Sequence, residues 1–328
     1  MNTKHLLLVA LAGSVLAVPA AGQVQYGGYI AAEYIDGQID SAYPRGAMDN
    51  LLAGFLAGGR VGGKFGFGLE ARVLDVESFE LTEAWAAFIP AKTFTVRAGL
   101  FLVPFGTWNR SSRPHETFLV RTPLNLEYLY PASWRELGVL VEGQIGVLTY
   151  AAYLGNGLAE TDRLGLPQEF DDNNADKAKG GRLGLVAGQA VQAGVSYYTG
   201  KMDEQELLDL VIEGADLSWV TPNWEIHGEY TRALVDNLEP YGRGESEGYY
   251  VWAAMSFRSF QPVGSYQKLR YVDPFRGGGI DLDQTRWTAG LRVVLSGSFF
   301  LKAEFDWNRE KPTALVNNQF QVQAGLTF

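Results

Sequence analysis

FFLKAEFDWN, residues 299–308, sets Phe299, Leu301, Ala303, Phe305 and Trp307 against Lys302, Glu304, Asp306 and Asn308. In an extended chain successive side chains point to opposite faces, so this stretch reads as a strand with one apolar and one wet side. The same period runs through RWTAGLRVVL (286–295), WEIHGEYTR (224–232), TFTVRAGLFL (93–102) and QFQVQAGLTF (319–328). In the last, Gln319, Gln321, Gln323 and Thr327 oppose Phe320, Val322, Ala324, Leu326 and Phe328.

Sixteen such segments are expected, near 25–35, 52–61, 64–75, 79–89, 92–103, 135–144, 147–155, 180–188, 190–199, 208–220, 223–233, 246–257, 261–272, 284–295, 298–308 and 318–328. Very short turns (Gly62-Gly63, Pro90-Ala91, Ile145-Gly146, Gly188-Gln189, Thr221-Pro222 and Ser296-Gly297) alternate with mostly longer connections. The longer ones cover 36–51, 104–134, 156–179, 234–245, 273–283 and 309–317, while 76–78 and 200–207 are short. An even number of amphipathic strands with short turns at one end and long loops at the other is the pattern of a transmembrane up-and-down antiparallel β-barrel. In lipid every backbone polar group needs an internal partner, so strands cross only as a sheet closed on itself. The apolar face then meets lipid and the polar face a wet lumen. A soluble sandwich would reverse this.

The N-terminus, MNTKHLLLVALAGSVLAVPAAGQ, has Lys4, an apolar run from Leu6 to Val18 and small residues at Val18, Ala20 and Gly22. Its apolar run falls short of the ~18–20 residues of a spanning helix, so 1–22 reads as a secretory leader and 23–328 as the barrel. There is no cysteine, which excludes a disulfide scaffold and thiolate metal sites. A net charge of −10 argues against nucleic acid. Tyr26, Phe88, Phe94, Trp219, Trp224, Tyr249, Phe257, Trp307 and Phe328 fall near strand ends, as interfacial girdles do.

GLFLVPFGTWN (99–109) resembles the strand and Pro-Phe-Gly turn of the phosphate-selective porin O and P family. LTEAWAAFI (81–89), RELGVLVEGQIG (135–146) and LGNG (154–157) follow that family's order of elements. The resemblance implies a sixteen-stranded outer-membrane channel, a homotrimer, with a loop folded into the lumen. It also implies that basic residues lining the pore set selectivity. By the same likeness Phe328 is a terminal aromatic read by the barrel assembly machinery.

The connection 104–134 is too long to be idle in a compact fold, and a barrel this wide has room for it inside. Constriction residues are therefore expected at Arg110, Arg113, His115, Glu116 and Arg121. Strand parity points Arg60, Arg72, Arg97, Lys268, Arg270, Arg286, Arg292, Glu225 and Glu229 into the pore. Arg110, Arg113 and Arg121 with the basic wall are expected to give a weak anion preference. The expected function is passive diffusion of small hydrophilic solutes and ions, in contact with the bilayer and lipopolysaccharide. The alternative is a substrate-specific channel for phosphate, a carboxylate or a sugar with a saturable site. EFDDNNAD (169–176) lacks the spacing of a calcium loop. His115 and His227 stand in no nucleophile motif, so neither an enzyme, a cofactor nor a metal is expected.

Overall fold

A computed structural model describes residues 24–75, 78–161, 163–166, 170, 172–237, 240, 242–273 and 281–328. The expected leader, 1–22, lies outside them, as do Glu169 and Asp171 of the acidic patch. Sixteen strands follow in order: β1 (Val24–Gly37), β2 (Ala47–Val61), β3 (Phe65–Leu74), β4 (Ser78–Ala91), β5 (Phe94–Leu102), β6 (Arg135–Ile145), β7 (Leu148–Gly155) and β8 (Ala178–Ala187). The second half holds β9 (Val191–Lys201), β10 (Asp209–Val220), β11 (Trp224–Asp236), β12 (Arg243–Met255), β13 (Phe260–Tyr271), β14 (Leu282–Val294), β15 (Phe299–Lys311) and β16 (Gln319–Thr327). Each pairs antiparallel with its sequence neighbours, and β1 pairs with β16, so the sheet closes.

The expected strand number and closure are therefore found. The largest boundary differences are small. β2 begins at Ala47, and β4 runs on to Ala91 through a register shift after Phe88, moving the turn to 92–93. Closure reaches the last residue: the backbone N–H and C=O of Phe328 both bond to Gly28, at 3.0 and 2.9 Å. Val24 at the start of β1 and Phe328 both lie with the short turns. The girdle residues named above all face outward; Tyr26 is 80% and Phe328 70% exposed.

The interior is not a simple wet tube. Residues 103–134 fold inward as a coil with a 3-10 turn at Trp108–Arg110 and a short helix, α1 (Leu124–Tyr128). They meet an apolar stretch of inner wall on β9–β13, where Tyr198, Leu210, Ile212, Tyr250, Val263 and Leu269 are buried. From the loop come Phe105, Leu124, Leu126, Leu129, Tyr130 and Trp134, each unexposed. Apolar burial of this kind, at about 25 cal/mol per Å², seats the loop against one side of the barrel.

Candidate functional site: the loop-narrowed lumen

The neck of the inner loop is tied by Asn109. Its Nδ2 donates to the carbonyls of Val103 and Trp134, both at 2.9 Å, and its Oδ1 accepts the Trp134 N–H at 2.6 Å. Beyond the neck, wall side chains take the loop's backbone donors. Ser196 accepts from Gly106 at 3.2 Å and Glu229 from Thr107 at 3.1 Å. Glu304 accepts from Val120 and Arg121 at 2.7 and 2.8 Å, and Gln267 from Leu124 at 2.9 Å. These partners stand on β9, β11, β13 and β15, so the loop is pinned across the lumen. Gly106 of the Pro-Phe-Gly turn has φ +59°, and a Cβ there would fall 2.0 Å from Glu229 Oε2. Only glycine lets the chain approach that carboxylate.

The loop's basic residues point into the remaining space and meet carboxylates. Arg110 lies 3.5 Å from Glu142, which also holds Arg97 at 2.5 Å. Arg113 reaches Glu70 at 2.7 Å, Glu116 at 3.1 Å and Glu83 at 3.8 Å. Tyr29 on β1 donates to the same Glu70 at 2.7 Å. Arg72 pairs with Glu80 at 2.5 Å and Arg182 with Asp216 at 2.5 Å. Arg121 bonds Glu127 at 2.9 Å and approaches Asp306 at 3.9 Å, while Arg286 holds Glu127 from β14 at 3.1 Å. His115 packs its ring 5.4 Å from Tyr29, and burial keeps its pKa below the usual imidazole value.

Burial disfavours the charge on Glu127, but Arg121 and Arg286 outweigh it and hold its pKa down to about 2. A carboxylate with a depressed pKa stabilises the fold above its unfolded value, near 4.5, and loses that contribution as pH falls toward about 2. The Arg121–Glu127–Arg286 clasp should therefore persist from neutrality to pH 4. Glu127→Gln should cost thermal stability at pH 7, with the difference from wild type closing only near pH 2 in circular dichroism melts.

The nine expected pore-lining charges divide into three groups. Arg60, Arg72, Arg97, Arg292 and Glu225 lie on inward faces, Arg60 exposed near the short-turn end. Glu229 and Arg286 also point inward but are 3% and 0% exposed, taken up by the loop and not by water. Lys268 and Arg270 require correction: they face outward. Their inward neighbours on β13 are Gln267, Leu269 and Tyr271, all buried, with Leu269 and Tyr271 beneath the apolar loop. Lys268 pairs instead with Asp283 on the outer surface. Tyr198, Tyr250 and Trp252 likewise belong to the packing around the loop. His227 stacks on Trp252 at 4.2 Å and lies 3.6 Å from Glu225.

Parity reasoning missed the loop's anchors as a class. Glu304 reads as a wall residue, Gln267 reads as an outward one by the parity that turned Lys268 inward, and nothing near either in sequence signals the backbone it holds. Of the acidic patch, Asp172 and Asp176 pair with Lys177 and Lys179 at 2.5 and 3.5 Å.

Comparison with known proteins places the fold. No family model matches the chain, and no curated protein matches it. Among solved structures it is similar to an anion-selective porin from Comamonas acidovorans, with TM-score 0.70, 14% identity, and 93% of this chain and 99% of that one covered. OmpF of Salmonella typhi, solved with daunomycin, gives 0.71 and 12%, covering 94% and 98%. The trimer form of OmpT, an outer membrane protein of Vibrio cholerae, gives 0.67 and 13%, covering 94% and 100%. At such identities the likeness is one of fold: a porin-type barrel.

Proposed function

We propose that this porin-type barrel is an outer-membrane porin passing small hydrophilic solutes and ions by diffusion. The observation that carries the reading is a closed sixteen-stranded sheet, apolar outside, with a pinned loop narrowing a lumen lined by charges. His115 and His227 are each taken up in ring packing, with Tyr29 and Trp252. The phosphate-selective resemblance has less to rest on than the porin fold. Arg110, Arg113 and Arg121 each face carboxylates within 4 Å, which offsets the positive field an anion preference needs. Single-channel recording of the refolded protein in a planar bilayer tests the function. Discrete conductance steps are expected; a barrel that folds yet never conducts would remove the reading.

The outer surface supports two partners. On the long-loop end of β11–β15, outward Arg232, Arg243, Lys268, Arg270, Arg309 and Lys311 alternate with acids at the level where lipopolysaccharide phosphates sit. By contrast the outward faces of β16 and β1–β5 carry one charge, Asp36. We assign that bare arc to contact between copies in a homotrimer. Leu69→Arg, on the arc, should abolish a heat-sensitive oligomer on gels, whereas Leu217→Arg, on β10, should leave it. Both place a charge on the apolar band at a similar cost of about 2–4 kcal/mol, so equal behaviour of the two would count against the assignment. Phe328 is taken as the terminal aromatic that the assembly machinery reads, and its exposure at the short-turn rim supports that reading.

A further inference from the structure

The long-loop half of the lumen carries an imbalance that free diffusion does not use. A cavity of about 880 Å³ opens there between the inner loop and the wall running from β14 through β15, β16, β1, β2 and β3 to β4. Three arginines line it, Arg72, Arg121 and Arg163; Arg72 meets Glu80 at 2.5 Å, which Arg135 shares, and Arg121 meets Glu127 at 2.9 Å, which Arg286 shares. Four more carboxylates line the same cavity: Glu33, Asp40, Asp75 and Glu310. Among the described residues none of these four has a Lys or Arg nitrogen within 4.0 Å.

Their partners are neutral. Glu33 accepts from Asn50 Nδ2 at 2.8 Å and Gln323 Nε2 at 2.5 Å. Glu310 accepts from Asn317 Nδ2 at 2.7 Å, and Asp40 from the Val316 N–H at 2.7 Å. Turning amide NH2 groups toward carboxylates leaves the amide oxygens without donors. Among the described residues Gln323 Oε1, Asn317 Oδ1 and, from β14, Gln284 Oε1 have no hydrogen-bond partner, although all three residues line the cavity and Gln323 and Gln284 are each 3% exposed. Buried polar atoms are otherwise nearly always paired, so orphaned acceptors on an acidic wall mark a place for donors.

The shape of the wall narrows the class of donor. Among the described residues no three carboxylates or histidines converge to hold a single metal ion. The charges are instead strung across several strands, with Ile35, Leu52 and Leu126 lining the same cavity. An ammonium group offers three N–H donors and no acceptor, and a chain of methylenes spaces such groups apart. We propose that this outer vestibule is a binding subsite for linear organic cations carrying two or more ammonium groups, taken up before passage through the pore. The proposal deepens the porin reading and rests on it for passage, though not for binding.

Two measurements on the refolded full chain separate the two. Titration calorimetry in detergent at low salt should show binding of spermidine, weakening with added salt and absent for inorganic phosphate. Glu33→Gln/Glu310→Gln should weaken it roughly tenfold, by removing two attractions of about 0.5–1 kcal/mol each. Asp40→Asn/Asp75→Asn, placed on loops and checked for the same heat-modifiable gel shift, should weaken it similarly. In bilayers, spermidine added on the long-loop side should interrupt the current. No binding to wild type, unchanged binding in both variants, or a preference for phosphate would overturn the proposal. Conductance steps in plain salt with no spermidine binding keep the porin and remove the subsite; binding without any conductance does the opposite.

Discussion

Replacing Glu229 and Glu304 together by alanine should free the inner loop and give a channel with long, noisy high-conductance states. Glu229 accepts from Thr107 N–H, Asn125 Nδ2 and the Tyr130 hydroxyl, and Glu304 accepts from Val120 and Arg121 N–H. Both carboxylates are 3% exposed, so water does not replace them in place. Each orphaned buried donor costs about 1–3 kcal/mol, and with five of them the loss is on the order of 5 kcal/mol or more. At 1.4 kcal/mol per tenfold, a displaced loop then moves from a trace population to a substantial one, by about three orders of magnitude. Glu229→Gln/Glu304→Gln keeps a side-chain oxygen at each site and should stay close to wild type in noise. Quiet, unchanged conductance in the double alanine variant would mean that the apolar seat alone holds the loop.

That contrast between polar pins and apolar seat also explains how far the sequence could be read. Alternation is legible wherever one face of a strand meets lipid and the other meets water. β15 is such a strand, with Lys302, Glu304, Asp306 and Asn308 inward as expected and Phe299 to Trp307 outward. β16 with its glutamines is another. On β13 the rule inverts. Leu269 and Tyr271 turn inward because the loop, not water, covers them, and Lys268 and Arg270 turn outward at the charged rim. A local pattern records polarity but not which neighbour supplies it, and that neighbour lies some 140 residues away, as the Leu124–Gln267 bond shows. The same holds for the arginines. Arg110, Arg113 and Arg121 announce a charged loop, and Glu116 and Glu127 within it are legible too, while Glu142 and Glu70, which offset Arg110 and Arg113, come from strands that only the folded barrel brings beside them.

Trp134→Ala should be the most damaging single change to the loop's seat. Trp134 is fully buried at the neck, its ring 4.9 Å from Tyr198 in an edge contact and 5.6 and 5.8 Å from Phe105 and Tyr130. Truncating such a ring removes about 3–5 kcal/mol through lost transfer energy and the cavity left behind. The surroundings cannot close on that cavity. The backbone at Trp134 is fixed by Asn109 and Val103, and Tyr198 is fixed by its strand. With a few degrees per kcal/mol for a domain of this size, the unfolded band on gels should appear at a temperature lower by roughly 10 °C. Trp134→Phe should recover most of that loss, since it restores an edge against Tyr198. The strands themselves do not depend on Trp134, so the barrel should still close, and the loosened neck should show as added current noise. A wild-type melting temperature in Trp134→Ala would mean that the loop is held by Glu229, Glu304 and the arginine clasp, and that the apolar wall beneath it is packing without consequence for stability.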